Sequence, residues 1–178
     1  MTHLSPILTY PATASACALV ASVFDVRSRK IPNFITFPAF AFGLVLHLAL
    51  NGWRDMLTAL AAGLICGVVF FLFYVAGGMG AGDVKLIMAV GCIAGLSHIA
   101  YILVLTAISG GIMAVILALV RGRFQETLMN VGEIASHHRQ AGLQPHPDLN
   151  IENAKTLRLP YALAIASGTV LTLYFQFQ

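Results

Sequence analysis

Ile99-Ala-Tyr-Ile-Leu-Val-Leu-Thr-Ala-Ile-Ser-Gly-Gly-Ile-Met-Ala-Val-Ile-Leu-Ala-Leu-Val120 carries no charged side chain. A helix of about 20 apolar residues spans the ~30 Å hydrocarbon core of a bilayer, so the segment reads as a membrane crossing. The rest of the chain agrees. It is 58% hydrophobic and 10% charged over 178 residues, where soluble domains are nearer 45–50% and about 25%. A small soluble domain leaves too much surface exposed to hide that apolar content.

Working outward from this segment gives six apolar stretches separated by short polar breaks. They run at about Pro6–Phe24, Phe34–Leu50, Met56–Ala76, Asp83–Leu96, Ile99–Val120 and Leu159–Phe177. The expected fold class is all-α: one membrane-embedded domain over 1–178, of about six transmembrane helices. Residues 1–24 contain no Lys or Arg, so the basic region of a signal peptide is missing and a retained first helix is expected. With an external N-terminus, the loops after stretches one, three and five face the cytoplasm. Those loops hold Arg27, Arg29, Lys30, Lys85, Arg121, Arg123, Arg139, Lys155 and Arg158, leaving only Arg54 opposite. Basic residues stay on the cytoplasmic side, so both termini are placed outside it.

Within the stretches, Gly63-Leu-Ile-Cys-Gly67 and Gly91-Cys-Ile-Ala-Gly95 are small-xxx-small patterns. These let helix backbones approach closely. Packing inside the bundle is the preferred use, with a homodimer interface as the alternative. Cys17, Cys66 and Cys92 stand singly and read as core residues. Between 121 and 158, Phe124, Leu128, Val131 and Ile134 (with Ala135) recur at helical spacing among Gln125, Glu126, Asn130 and Glu133. This pattern predicts a short amphipathic helix at the membrane surface. His137, His138 and His146 lack metal-ligand spacing and read as solvated loop histidines, so no metal and no cofactor is expected. A net charge of +3 gives no sign of nucleic-acid binding.

Charges at membrane depth are costly and are usually functional. Asp55 falls in an external turn, and Glu126, Glu133, Asp148 and Glu152 in the cytoplasmic loop. That leaves Asp25, directly after the first stretch, and Asp83, opening the fourth. The topology puts both at the cytoplasmic boundary although they lie 58 residues apart in sequence. Two neighbouring carboxylates share a proton, so one can take a proton from water while the other protonates a scissile amide. The plainer reading stands beside this one: Asp83 as a helix cap, and Asp25 paired with Arg27 or Arg29. Gly80 and Gly82 would permit unusual backbone angles and close approach. Lys85 would favour the Asp83 anion.

Gly77-Gly-Met-Gly-Ala-Gly-Asp-Val-Lys85 resembles the GxGD motif of membrane aspartyl proteases, and in its longer form that of type IV prepilin peptidases. Asp25-Val-Arg-Ser-Arg-Lys-Ile-Pro-Asn33 is similar to the D-x-R-x-x-x-I-P-N segment of the same family. Leu159-Pro-Tyr-Ala-Leu-Ala-Ile-Ala-Ser-Gly168 resembles its last-helix signature. The resemblance implies an aspartic endopeptidase of the bacterial inner membrane. It would remove the leader of prepilin or pseudopilin precursors after a Gly at the cytoplasmic boundary, with Asp25 and Asp83 catalytic. Gly80 and Gly82 would shape the site, and Lys85 and Asn33 match motif positions. The chain lacks the paired CxxC motifs of larger members, so N-methyltransferase activity is not expected. The short form, with the 152–158 run before the last helix, is most similar to tight-adherence (Flp) pilus peptidases. The alternatives are a small ion- or proton-coupled transporter using Asp25, Asp83 and Lys85, and an inactive pilus-assembly scaffold. Two acids at one boundary, not at the midplane, and no inverted repeat speak against the transporter.

Overall fold

A computed structural model describes residues 6–147, 149–150 and 159–176. The described residues form seven α-helices: α1 Pro6–Ser28, α2 Asn33–Asn51, α3 Trp53–Val75, α4 Ala81–Ala94, α5 Ile99–Val120, α6 Phe124–Ala141 and α7 Tyr161–Gln176. The all-α expectation holds. Three helices, α2, α3 and α5, are long and apolar enough to cross a membrane, and α7 is a shorter apolar helix. The chain is a multi-pass membrane protein.

The expected boundaries shift by only a few residues. The turn expected between the second and third stretches shrinks to Gly52, at φ +86°, because Trp53, Arg54 and Asp55 already belong to α3. The first helix runs past its apolar part to Ser28, which leaves Asp25 inside its last turns. The basic residues Lys155 and Arg158, the acids Asp148 and Glu152, and the 152–158 run used for the branch assignment lie outside the described residues.

Burial is inverted relative to a soluble bundle. Phe37, Val45, Val68, Phe73, Val104 and Leu119 are exposed on the outer helices, as expected when lipid tails are the solvent. The interior is lined instead by small residues, among them Ala14, Ala18 and Ala21 of α1 and Ala162 and Ala166 of α7. Helix α4 is the axis. Leu86, Ile87, Ala89, Val90, Cys92 and Ala94 are all fully buried, and α1, α2 and α3 pack around it while α5 packs on α7.

Small residues set these distances. A Cβ on Gly91 would stand 2.6 Å from Cys66 Sγ, and one on Gly63 2.8 Å from the Met88 carbonyl oxygen. The α3–α4 contact therefore depends on missing side chains, which is the packing expected inside the bundle. Gly95 departs from its pattern. It ends α4 at φ +79° and sits under His47, whose Cε1 would be 3.0 Å from an added Cβ. The α5–α7 contact is tighter still: a Cβ on Gly168 would lie 2.5 Å from the Thr106 backbone nitrogen and 2.7 Å from its Cα. No volume-preserving rearrangement relieves a clash with backbone.

With α6 set aside, successive helices run alternately up and down, as the pairing of Asn51 with Tyr10, Lys85 with Asn33, Asp25 with Ala162 and His98 with Gln176 shows, so polar groups collect at two ends. One end holds His47, Asn51, Asp55 and His98, where His98 Nε2 is 2.8 Å from Gln176 Oε1. The other holds Asp25, Asn33, Asp83, Lys85 and the start of α7.

Candidate active site

Asp25 and Asp83 line one cleft of about 280 Å³, together with Arg29, Lys30, Ile31, Asn33, Gly80, Gly82 and Lys85. The two acids come from α1 and α4 and share the walls of this cleft. All six site residues named from sequence thus meet in one place.

Asp83 is the third residue of α4, and only 9% of it is exposed. Its Oδ2 accepts a hydrogen bond from the Gly80 N–H at 3.2 Å, the N-terminal half of a capping box. The helix-cap reading is therefore correct in its geometry, and it does not compete with the cleft. The cap fixes the rotamer, and the first-turn position places the carboxylate in the favourable field of the helix N-terminus.

Asp25 is half-buried, and its Oδ2 accepts from the Ala162 N–H of α7 at 3.3 Å. A second helix N-terminus therefore faces the second acid. Pro160 supplies the local reason: its carbonyl receives the Leu163 N–H at 3.1 Å, and its missing N–H costs nothing at a helix start. The signal was present in the sequence, since a proline before an apolar run marks a helix N-terminus, but which acid that end would meet is a tertiary fact. Among the described residues, the ion pairs join His47 to Asp55, Arg123 to Glu126 and His146 to Glu133. Neither Arg27 nor Arg29 is paired with Asp25.

Of the two uses expected of the glycines, unusual backbone angles and close approach, the second is the one observed. Gly80 has φ −85° and ψ 153°, which any residue adopts, so no special torsion is used there. Their contribution is space. A Cβ on Gly80 would stand 3.3 Å from Asp83 Oδ2, and one on Gly82 3.2 Å from Ile31 Cβ. The unusual backbone belongs to Arg29, at φ +51°, which costs an L residue about 1–2 kcal/mol. That turn ends α1 and brings Arg29, Lys30 and Ile31 over the cleft, whereas the motif arginine, Arg27, is exposed and does not line it.

Lys85 also differs from expectation. Its Nζ donates to Asn33 Oδ1 at 2.9 Å and lies 5.6 Å from the centre of the Phe37 ring. Its charge is thus engaged by α2, across the cleft, and not by Asp83. Lys85 and Asn33 together tie α4 to the start of α2 and hold the cleft's width.

The histidines depart from a solvated loop. His137 and His138 belong to α6, and His146 is buried with its ring 4.8 Å from that of His137. No group of three or more His, Cys, Asp or Glu among the described residues has metal-binding geometry.

The chain is 29% identical over 79 residues to the preflagellin peptidase of Methanococcus voltae, an alignment covering 42% of this chain and 34% of that protein. The chain therefore matches about a third of the relative's length. No solved structure matches. The model of the type IV leader peptidase family matches residues 12–115, a span that includes both acids, the cleft and more than half of the sequence, so the chain belongs to that family.

Proposed function

We propose that the protein is an aspartic endopeptidase that removes the leader of pilin-like precursors after a Gly, at the cytoplasmic boundary of the bacterial inner membrane. The observation that carries this reading is the sharing of one cleft by Asp25 and Asp83, drawn from helices α1 and α4. Six spans with both termini outside fit the up-and-down order of the helices and put the cleft on the cytoplasmic side. Arg27, Arg29, Lys30, Lys85, Arg121 and Arg123 collect at that end, and Arg54 lies at the other.

The chemistry needs one ionised and one protonated carboxyl. The ionised acid takes a proton from water, and the resulting oxygen attacks the scissile carbonyl carbon. The protonated acid donates to the carbonyl oxygen and, as the C–N bond breaks, a proton passes to the departing amine. Both acids are anchored by backbone N–H groups, Gly80 to Asp83 and Ala162 to Asp25, so little reorganisation is required during reaction. An extended precursor segment entering the bilayer boundary would pass the cleft, with its apolar helix remaining in lipid. A short tight-adherence (Flp) pilin is the substrate proposed.

Purified protein in detergent, incubated with a Gly-ended prepilin, is the test. Wild type removes the leader, and Asp25→Asn and Asp83→Asn each do not. Full cleavage by both variants would overturn the two-acid mechanism. A wild type inert toward the precursor but moving ions in liposomes would instead support the transporter.

A further inference from the structure

The apolar stripe of α6 is turned away from the protein. At about 100° per residue, Phe124, Leu128, Val131 and Ala135 fall in one narrow sector of the helix, and all four are exposed, Leu128 by 64% and Val131 by 59%. The face toward the rest of the chain is a different one, carrying the partly buried Thr127, Asn130, Ile134 and His137. Ile134, counted into the stripe from its spacing, belongs to this inner face.

Charge is ordered around the stripe. Arg139 borders it, about 50° from its centre, while Glu126 and Glu133 project about 170° away from it. Both acids are engaged on that far side, Glu126 with Arg123 and Glu133 with His146. The stripe also continues a surface that already faces lipid. Ile108, Ile112, Val115, Ile116 and Leu119 form the outer face of α5 and are all exposed, Leu119 by 58%, and only residues 121–123 separate α5 from α6.

We propose that α6 lies in the interface of the leaflet on the Asp25–Asp83 side, with Phe124, Leu128 and Val131 in the acyl boundary and Arg139 on the phosphates of anionic lipid. An exposed apolar stripe with a cationic border and acids on the far side is the charge pattern that such a surface complements. Seating the helix also places the segment that follows it. Gly142 reverses the chain at φ +68°, and His137 Nε2 donates to the Gln144 carbonyl at 3.1 Å. Pro145 and Asn150 then rest on Gly77, where an added Cβ would meet their Cβ atoms at 3.0 and 3.3 Å. Gly77 opens the turn that leads into Asp83, so the lipid-seated helix supports the roof of that turn.

The proposal does not depend on peptidase activity, and its test reads none. The chain has one tryptophan, so Trp53→Phe gives a silent background for the full-length protein in proteoliposomes. A tryptophan placed by Leu128→Trp, or independently by Val131→Trp, is expected to emit to the blue. It should be quenched by lipid with brominated tails and be several-fold shielded from acrylamide. Gln140→Trp, on the opposite face, should show the reverse. Arg139→Gln should reduce the shielding in vesicles containing phosphatidylglycerol and leave it unchanged in pure phosphatidylcholine. Acrylamide-open, bromine-insensitive tryptophans at 128 and 131 would overturn the proposal. So would shielding that appears only at high protein-to-lipid ratio, which would mean that a second copy of the chain covers the stripe.

Discussion

The bundle has a polar cluster at each end, and the two are built on opposite principles. At one end His47, 2% exposed, has Nδ1 2.7 Å from Asp55 Oδ2 and Nε2 3.1 Å from the Ile93 carbonyl oxygen. Asn51 Nδ2 donates to Asp55 Oδ2 at 2.9 Å and to the Tyr10 hydroxyl at 2.7 Å, and the Tyr10 and His47 rings stack at 4.0 Å. Every member has a close partner from another helix turn, and the cluster clamps α1, α2, α3 and α4 together. At the other end Asp25 and Asp83 are each held by a single backbone N–H and face an open cleft. A satisfied network adds rigidity, whereas acids facing a cleft keep acceptor capacity for something else to use. The difference separates a structural carboxylate, Asp55, from two candidate chemical ones.

The sharpest way to break that contrast is to exchange effects between the ends. Asp25→Asn or Asp83→Asn should lower prepilin cleavage by about 10²–10⁴-fold while the melting temperature in detergent hardly moves. Asp55→Ala should do the opposite, lowering stability by about 1–3 kcal/mol by leaving the buried Nδ1 of His47 without its partner, with cleavage retained below the melting point. Equal loss of cleavage from all three would erase the distinction.

Midway between the ends, Gly168→Ala forces a methyl against the Thr106 backbone. About 1–3 kcal/mol of destabilisation is expected, read as a lower melting temperature, with the two acids unchanged. A smaller effect is expected from Lys85→Met, which removes the tie to Asn33 from a partly exposed site. Loss of that hydrogen bond corresponds to about 0.5–1.5 kcal/mol, read as a reduction of up to about tenfold in kcat/KM with little change in melting.

The smallest effect concerns α6. The hydrogen bond from Arg123 Nε, at 2.7 Å, together with the charge of the guanidinium, holds the Glu126 carboxyl below its ordinary range. Its folded-state value being the lower one, the pair's support is present above the ordinary carboxylate range and fades as pH falls through the lowered value. Amide exchange in the first turn of α6 should therefore quicken in acid, and Glu126→Gln should remove that pH dependence. Both side chains are solvent-exposed, Arg123 by 40% and Glu126 by 47%, so no shift in global melting accompanies it.

Much of the fold was legible in particular residues. The uncharged run from Ile99 to Val120 matches α5 residue for residue, since a helix that must satisfy its own backbone in lipid begins and ends where polarity returns. Phe124, Leu128 and Val131 announced α6, but not that Ile134, counted with them, would turn inward. Six cleft residues were named from motif positions, but the manner of their assembly was not legible. Lys85 was expected to act on Asp83 because the two are close in sequence, yet α2 brings Asn33 and Phe37 to its ammonium instead. Gly80 was expected to serve by unusual backbone angles and by close approach, and only the second is used.

The sequence by itself determined where the apolar segments lie, that they need a bilayer, and that two acids sit at the edges of such segments. Those are consequences of local composition, because transfer into lipid is decided segment by segment. Only the tertiary structure decided that the N-terminus of α7 reaches Asp25, that the turn at Arg29 roofs the cleft, and that Asp55 is consumed by His47 and Asn51. These outcomes depend on how closely helices far apart in sequence approach one another. That approach is set by small residues such as Gly91 and Gly168, whose effect is the absence of a side chain and so leaves little trace in the sequence.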